Sequence, residues 1–241
     1  MVESTARLTL ELGSLSILTF LPFYDFLRFM TAVPIEQNLS RGHKKRERTH
    51  DQLIVAGLQV LAEKGESLTI SDVVARAQVS NGTFYNYFTD RDELIDALAE
   101  HSLISLAALA ASETTDQDPA RRFAVATGRV LKRAVENPSW GQTILRLTDH
   151  RWSFRHEIHR YLSEDLAAGL EQKRFEFGAD EITLDLVLGL LTMTIRRIVR
   201  GDAGPGHIER VLERALTALG IAKDEAAILA ADATADRGSI I

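Results

Sequence analysis

Residues 69–91, TISDVVARAQVSNGTFYNYFTDR, decide how the rest of the chain is read. Thr69 followed three residues on by Asp72 is a reciprocal helix start: the hydroxyl takes a free backbone N–H and the carboxylate reaches back. Ile70, Val73, Val74 and Ala77 then fall on one face of a short helix. Gln78-Val79 makes a turn, and Ser80 caps a second helix predicted to run through Phe88. Asp90 with Glu93 opens a third. Two short helices joined by a tight turn form the arrangement that lays its second helix in a DNA major groove.

The second helix has an unusual make-up. Phe84 and Phe88 are four apart and can enter a core together, which leaves Asn81, Thr83, Tyr85, Asn86 and Tyr87 with polar groups outward. Amides and hydroxyls of this kind bond to base edges and phosphate oxygens. The plainer alternative is a small amphipathic helix with tyrosines at its rim.

The run VSNGTFYNYFTDRDEL, preceded by TISDVVARA and, further upstream, LIVAGLQVLAEKG, resembles the DNA-binding domain of TetR-family transcriptional repressors over about Thr49 to Glu100. The resemblance implies an all-α homodimer. Its N-terminal three-helix helix-turn-helix domain would bind DNA, and a larger helical C-terminal domain would bind a ligand and dimerise. Carried over by position, Asn81, Gly82, Thr83 and Asn86 stand nearest the bases, with Ser80 at the head of the helix. Thr49, Thr69, Tyr85, Tyr87 and Arg91 fall at phosphate contacts, Arg91 replacing the family's usual lysine. Gln78 stands where the turn usually has glycine, which bears on the turn's geometry. His50 stands where arginine is common, which weakens one phosphate contact.

Outward from this motif, 241 residues accommodate one large domain or two smaller ones, and 45% hydrophobic residues suit a packed core. The net charge of −6 argues against a general nucleic-acid coat, yet a specific reader needs only local charge. Arg41, Lys44, Lys45, Arg46 and Arg48 against Glu47 supply it. The absence of cysteine excludes disulfides, thiol nucleophiles and thiolate metal sites, and fits a reducing cytoplasm.

Residues 8–33 are rich in Leu, Phe and Ile, but Glu11, Pro22, Asp25 and Arg28 break the run well short of the roughly 20 apolar residues of a membrane span. Three readings stay open: an amphipathic segment on the body, a loose interfacial segment, or an extension upstream of a start at Met30. Pro34 to His43 reads as a flexible basic arm. The expected divisions are thus an extension and arm at 1–43, poorly packed; the DNA-binding domain at 44–100; a ligand-binding and dimerisation domain at 101–221; and a disordered or frayed tail at 222–241.

Helix one is expected over about Arg46 to Lys64, with Ile54, Leu58 and Leu61 at helical spacing. Asp92 to Ala111 continues as a fourth helix joining head to body, and Ser112 to Asp118 is a polar break. Asp118-Pro119 restarts a helix to Glu136. Two further helices follow, over about Ser139 to Asp149 and Phe154 to Phe175. Glu181 to Arg200 is apolar on nearly every face, and His207 to Leu219 carries one regular stripe. These two are read as the dimer interface, through Leu184, Leu188, Leu191 and Ile195 on the first and Ile208, Val211, Leu212 and Leu216 on the second.

A ligand pocket is expected among the helices before that pair. Phe123, Trp140, Trp152, Phe154 and Tyr161 would line it, with Thr143, Arg146 and His150 as polar contacts. Each is weighed against ordinary core packing. Asp149, His150, His156 and His159 lack the convergence a metal needs, so no metal or cofactor is expected. No phosphate-binding glycine loop, G-x-S-x-G or H-E-x-x-H is present, so no enzyme is expected. The expected partners are a palindromic double-stranded operator, a small-molecule effector and a second copy of the chain, without a membrane.

Overall fold

A computed structural model of the chain describes residues 41–111, 118–178 and 180–235; of Arg41–His43, Ala111 and Trp152 it describes the backbone alone. The expectations for residues 1–40, for most of the polar break and for residues 236–241 lie outside the described residues. Every regular element described is helical. They are α1 (Arg41–Lys64), a 3-10 turn (Gly65–Ser67), α2 (Ile70–Ala77), α3 (Asn81–Phe84), α4 (Arg91–Ala111) and α5 (Pro119–Glu136), followed by α6 (Pro138–His150), α7 (Trp152–Glu171), α8 (Glu181–Val199), α9 (His207–Ala218) and α10 (Lys223–Ala235).

The capping residues set most of the boundaries. Thr69 and Asp72 form the reciprocal cap of α2, and Ser80 Oγ accepts the Thr83 N–H at 3.1 Å to start α3. Asp118 receives the Ala120 N–H ahead of Pro119, and Asp180 receives the Thr183 N–H at 2.9 Å. Three boundaries differ most from expectation. The helix expected over about Phe154 to Phe175 is α7, Trp152–Glu171, and the chain turns at Lys173 with φ 57 before Phe175. α1 begins at Arg41, so Arg41–His43 belong to a helix rather than to a flexible arm. Lysine, arginine and glutamate are good helix formers, and a basic run can extend a helix as readily as a linker. α3 ends at Phe84, with Tyr85–Tyr87 continuing as turns in which the Asn86 and Tyr87 N–H groups bond back three residues.

α1 to α3 form a head and α5 to α10 a body, with α4 packed on both. One cluster of buried side chains runs through the head and into the body, from Leu53, Val73, Phe84 and Leu98 to Leu131, Ile144, Phe154 and Ile195. A second, comprising Phe123, Leu166, Phe175, Val187, Leu212, Leu216 and Leu229, fills the far end.

The tail expected to be disordered is a helix over 223–235. α10 packs on α9 and α5 and buries Ala226, Leu229, Ala230 and Ala233. Arg174 ties it down, 2.7 Å from Glu225 and 2.6 Å from Asp118 at the head of α5, and the guanidinium holds the Asp118 carboxyl below the usual carboxylate range. Alanine is the best helix former, and its small side chain lets two helices approach closely. The low content of large apolar residues in this segment therefore misleads.

The expected dimer surface also changes. Leu184, Ile195, Val211, Leu212 and Leu216 are buried within the single chain; Leu188, Leu191 and Ile208 are partly so. The stripe of α9 faces α5, α8 and α10, and its outer side carries Glu209, Arg210 and Arg214. Periodicity locates a buried stripe but does not say which neighbour buries it. α8 instead exposes Ile182 (80%), Leu186 (48%) and Met193 (62%).

Candidate nucleic-acid interface

α3 is a short helix held rigidly from beneath. Phe84 and Phe88 are buried with ring centroids 5.5 Å apart, and both join the core that α1, α2 and α4 enclose. A turn of one helical cycle is not stable alone; here two phenylalanines fix its orientation. Asn81, Gly82, Tyr85 and Asn86 are exposed on the opposite side. Tyr85, 57% exposed, braces its ring edge-on against Phe84 at 5.4 Å.

Gln78 closes α2 in the left-handed region, φ 56 and ψ 42, where glycine would be unstrained. The Val79 N–H donates to Val74 O at 3.0 Å and the Gln78 N–H to Ala75 O at 3.3 Å, the paired bonds of a Schellman ending. The departure from glycine leaves the turn intact.

Several residues expected at phosphates have intramolecular partners. The Thr69 hydroxyl donates to Asp72 Oδ2 at 2.7 Å, and Thr49 Oγ1 donates to Lys45 O at 3.1 Å. Arg91 is the clearest case: Nε donates to Leu68 O at 2.8 Å and Nη2 to Glu66 O at 2.6 Å, locking the start of α4 onto the loop after α1. Ser80 is a cap, and Thr83 Oγ1 lies 2.9 Å from its hydroxyl. Tyr87 is half-buried beside His50, with the Arg46 guanidinium 5.9 Å over its ring. Sequence reading placed Arg46 in the basic run but missed this stacking, which joins residues 41 apart. Lys44, Lys45 and Arg48 are exposed along the same end of α1.

The head is braced electrostatically. The Lys64 ammonium and then Thr69 push the Asp72 carboxyl down to about 2, and Arg76 forks onto Glu63 at 2.7 and 2.9 Å, holding that carboxyl below its ordinary range. These pairs fix α2 against α1, and so fix the angle at which α3 is presented.

Two family profiles match the chain: "Bacterial regulatory proteins, tetR family" over residues 53–98 and "Tetracyclin repressor-like, C-terminal domain" over residues 118–232. The chain belongs to the TetR family. An HTH-type transcriptional regulator of Bacillus subtilis, YxbF, is 24% identical over 197 residues, covering 77% of this chain and 48% of that protein. Another from the same organism, YvdT, is 38% identical over 61 residues, covering 25% of this chain and 31% of its own length. The matched region thus spans less than half the length of either relative. Among solved structures, RolR in complex with resorcinol is similar with a TM-score of 0.56 and 28% identity, over 78% of this chain and 95% of that one. A gamma-butyrolactone receptor shares the fold at TM-score 0.59 and 21% identity, over 80% and 100% respectively. The chain therefore carries both the N-terminal and the C-terminal domain of that family.

In this TetR-family chain the expected effector contacts do not all converge. Phe123 lies in the far cluster, edge-on to Phe175 at 6.4 Å, whereas Phe154 is buried in the cluster shared with the head and Trp140 packs against it. The Thr143 hydroxyl is 3.1 Å from Ser139 O and 3.3 Å from Leu58 O. Tyr161 is half-buried with the Arg160 guanidinium 4.3 Å over its ring, and burial pushes its hydroxyl up. Arg146 and His150 stand together at the meeting of head and body. The Trp152 side chain lies outside the described residues. Helical spacing puts such side chains on a common face without saying that two helices turn those faces to one point.

Proposed function

We propose that the chain is a homodimeric repressor, released from a near-palindromic operator by a small molecule. The observation that carries the DNA-reading half is the exposed row on α3 and the turn after it, anchored below by Phe84 and Phe88. Asn81, Asn86 and Thr83 read base edges, and Gly82 lets the helix approach closely. Tyr85 and the α1 cations Lys44, Lys45 and Arg48 hold phosphates. Thr49, Thr69, Tyr87 and Arg91 mainly shape the head that makes these contacts, and Ser80 caps the reading helix. A dimer places its two heads in successive major grooves about 34–36 Å apart, or somewhat more. Ile182, Leu186 and Met193 on α8 form the surface that the second copy covers. The regulator works in the cytoplasm, where its operator is.

The small-molecule half is supported by the family's C-terminal domain and by the likeness to RolR, whose structure holds resorcinol. A simple phenol is accordingly the first ligand to try. Release needs only that the ligand favour the dimer with wrongly spaced heads, each tenfold preference shifting the balance by about 1.4 kcal/mol. The route to the head passes through α6. Its C-terminal end reaches the head side by Arg151 to Asp92 at 3.3 Å and by His150 to Glu66 at 2.9 Å.

The test is selection of bound sequences from random duplex DNA by the purified protein at two salt concentrations. Enrichment of a palindrome that a phenol then competes away supports the reading. A folded dimer that enriches no sequence overturns it.

A further inference from the structure

Head and body meet around a cavity of about 200 Å³, lined by the end of α1, the 3-10 turn, the start of α4 and the last turn of α6. Leu61, Ile95 and Leu147 give it an apolar wall. Its charged groups are mostly paired. Arg91 bonds to two carbonyls, at 2.8 and 2.6 Å. Arg151 lies 3.3 Å from Asp92 and 3.5 Å from Asp96, and His150 Nδ1 lies 2.9 Å from Glu66. Arg146 is different. It has no hydrogen-bond or ion-pair partner among the described residues, and its Nε is buried without one. Its guanidinium lies across Gly65, where an added Cβ would stand 3.0 Å from both Cζ and Nε; Gly65 also has φ +58. The close approach and the backbone both call for glycine.

A guanidinium left without a counter-charge beside an apolar wall is half of a binding site. We infer that this cavity takes a small monocarboxylate with an apolar body, such as an aromatic acid. The carboxylate forks onto Arg146 and the ring lies against Leu61, Ile95 and Leu147. The volume equals about seven waters at roughly 30 Å³ each, room for a single small ring. Glu66 and Asp92 line the same space and disfavour a dianion such as phosphate. Because the site bridges α1, α4 and α6, its occupant would stiffen or shift the joint between head and body. That consequence rests on the effector reading above; the binding itself does not.

The experiment is isothermal titration of the full-length protein with benzoate, with neutral benzamide and inorganic phosphate as controls. Benzoate is expected to saturate at one per chain, with both controls binding roughly tenfold or more weakly. Arg146→Gln should weaken benzoate to the level of benzamide with an unchanged circular-dichroism spectrum. Arg146→Lys, which keeps the charge but loses the fork, should fall between and covers the case in which Arg146→Gln misfolds. Absent benzoate binding, or equal binding by wild type and the folded variants, overturns the site. If another ligand still releases DNA in that event, the effector reading survives it. Arg146-dependent benzoate binding that leaves DNA affinity unchanged establishes the site and separates it from the effector's.

Discussion

At Gln78 the backbone of α2 turns left-handed to reach α3, with a side chain that makes such a turn costly. A left-handed non-glycine residue carries about 1–2 kcal/mol of strain, partly offset by glycine's greater freedom in the unfolded chain. Gln78→Gly should therefore raise stability by about 1 kcal/mol in urea denaturation. Gly82 presents the opposite case. An added Cβ meets nothing nearer than Ser80 Oγ at 3.8 Å, so the fold does not require glycine there. Gly82→Ala should leave stability equal or slightly higher by urea denaturation, yet weaken operator binding roughly tenfold or more in a mobility-shift assay if DNA approaches that point. Unchanged DNA affinity would remove Gly82 from the interface. Asp72 offers a pH signature. Its carboxyl sits at about 2 in the folded chain against 3.8 ordinarily, so its contribution is complete above about pH 4. The stability difference between wild type and Asp72→Asn should then shrink as pH falls from about 4 towards 2.

At the scale of elements, the turn that follows α3 carries two kinds of contact side by side. Tyr85→Ala should weaken binding to all sequences about equally, because a phosphate carries no sequence information. Asn86→Ala should cost about 1–3 kcal/mol on the preferred operator and relax choice at one base position. Binding measured over a panel of single-base operator variants distinguishes the two, and equal loss of specificity from both would refute the division. The elements themselves were mostly legible. Thr69, Ser80 and Asp118 each announced a helix start through local capping, which needs no partner from elsewhere. α10 was not legible. An alanine-rich stretch is neutral in isolation, and its burial depends on α5 and α9 standing ready to receive it.

For the whole molecule, the exposed apolar residues of α8 set the expectation for assembly. Met193→Glu with Leu186→Glu should leave the chain folded but convert a dimer to a monomer in sedimentation analysis, with loss of cooperative operator binding. Leu212→Glu should instead unfold the chain, because that side chain is fully buried in one protomer and a lone buried carboxylate is costly. A folded monomeric Leu212→Glu would restore α9 as the interface.

The sequence alone determined the helical class, the helix-turn-helix and the residues offered on α3 and the turn after it, since caps, turns and helical periodicity act over a few residues. It also exposed the departure at Gln78. Tertiary structure alone decided which neighbour covers each apolar stripe, turning α9 inward and leaving Ile182, Leu186 and Met193 of α8 outside. It tied Arg91 to backbone carbonyls 23 and 25 residues away, and it separated Phe123 from Phe154. It also left Arg146 facing a cavity without a counter-charge. Such pairings join residues far apart in the chain, and their outcome follows from how whole helices pack rather than from any local pattern.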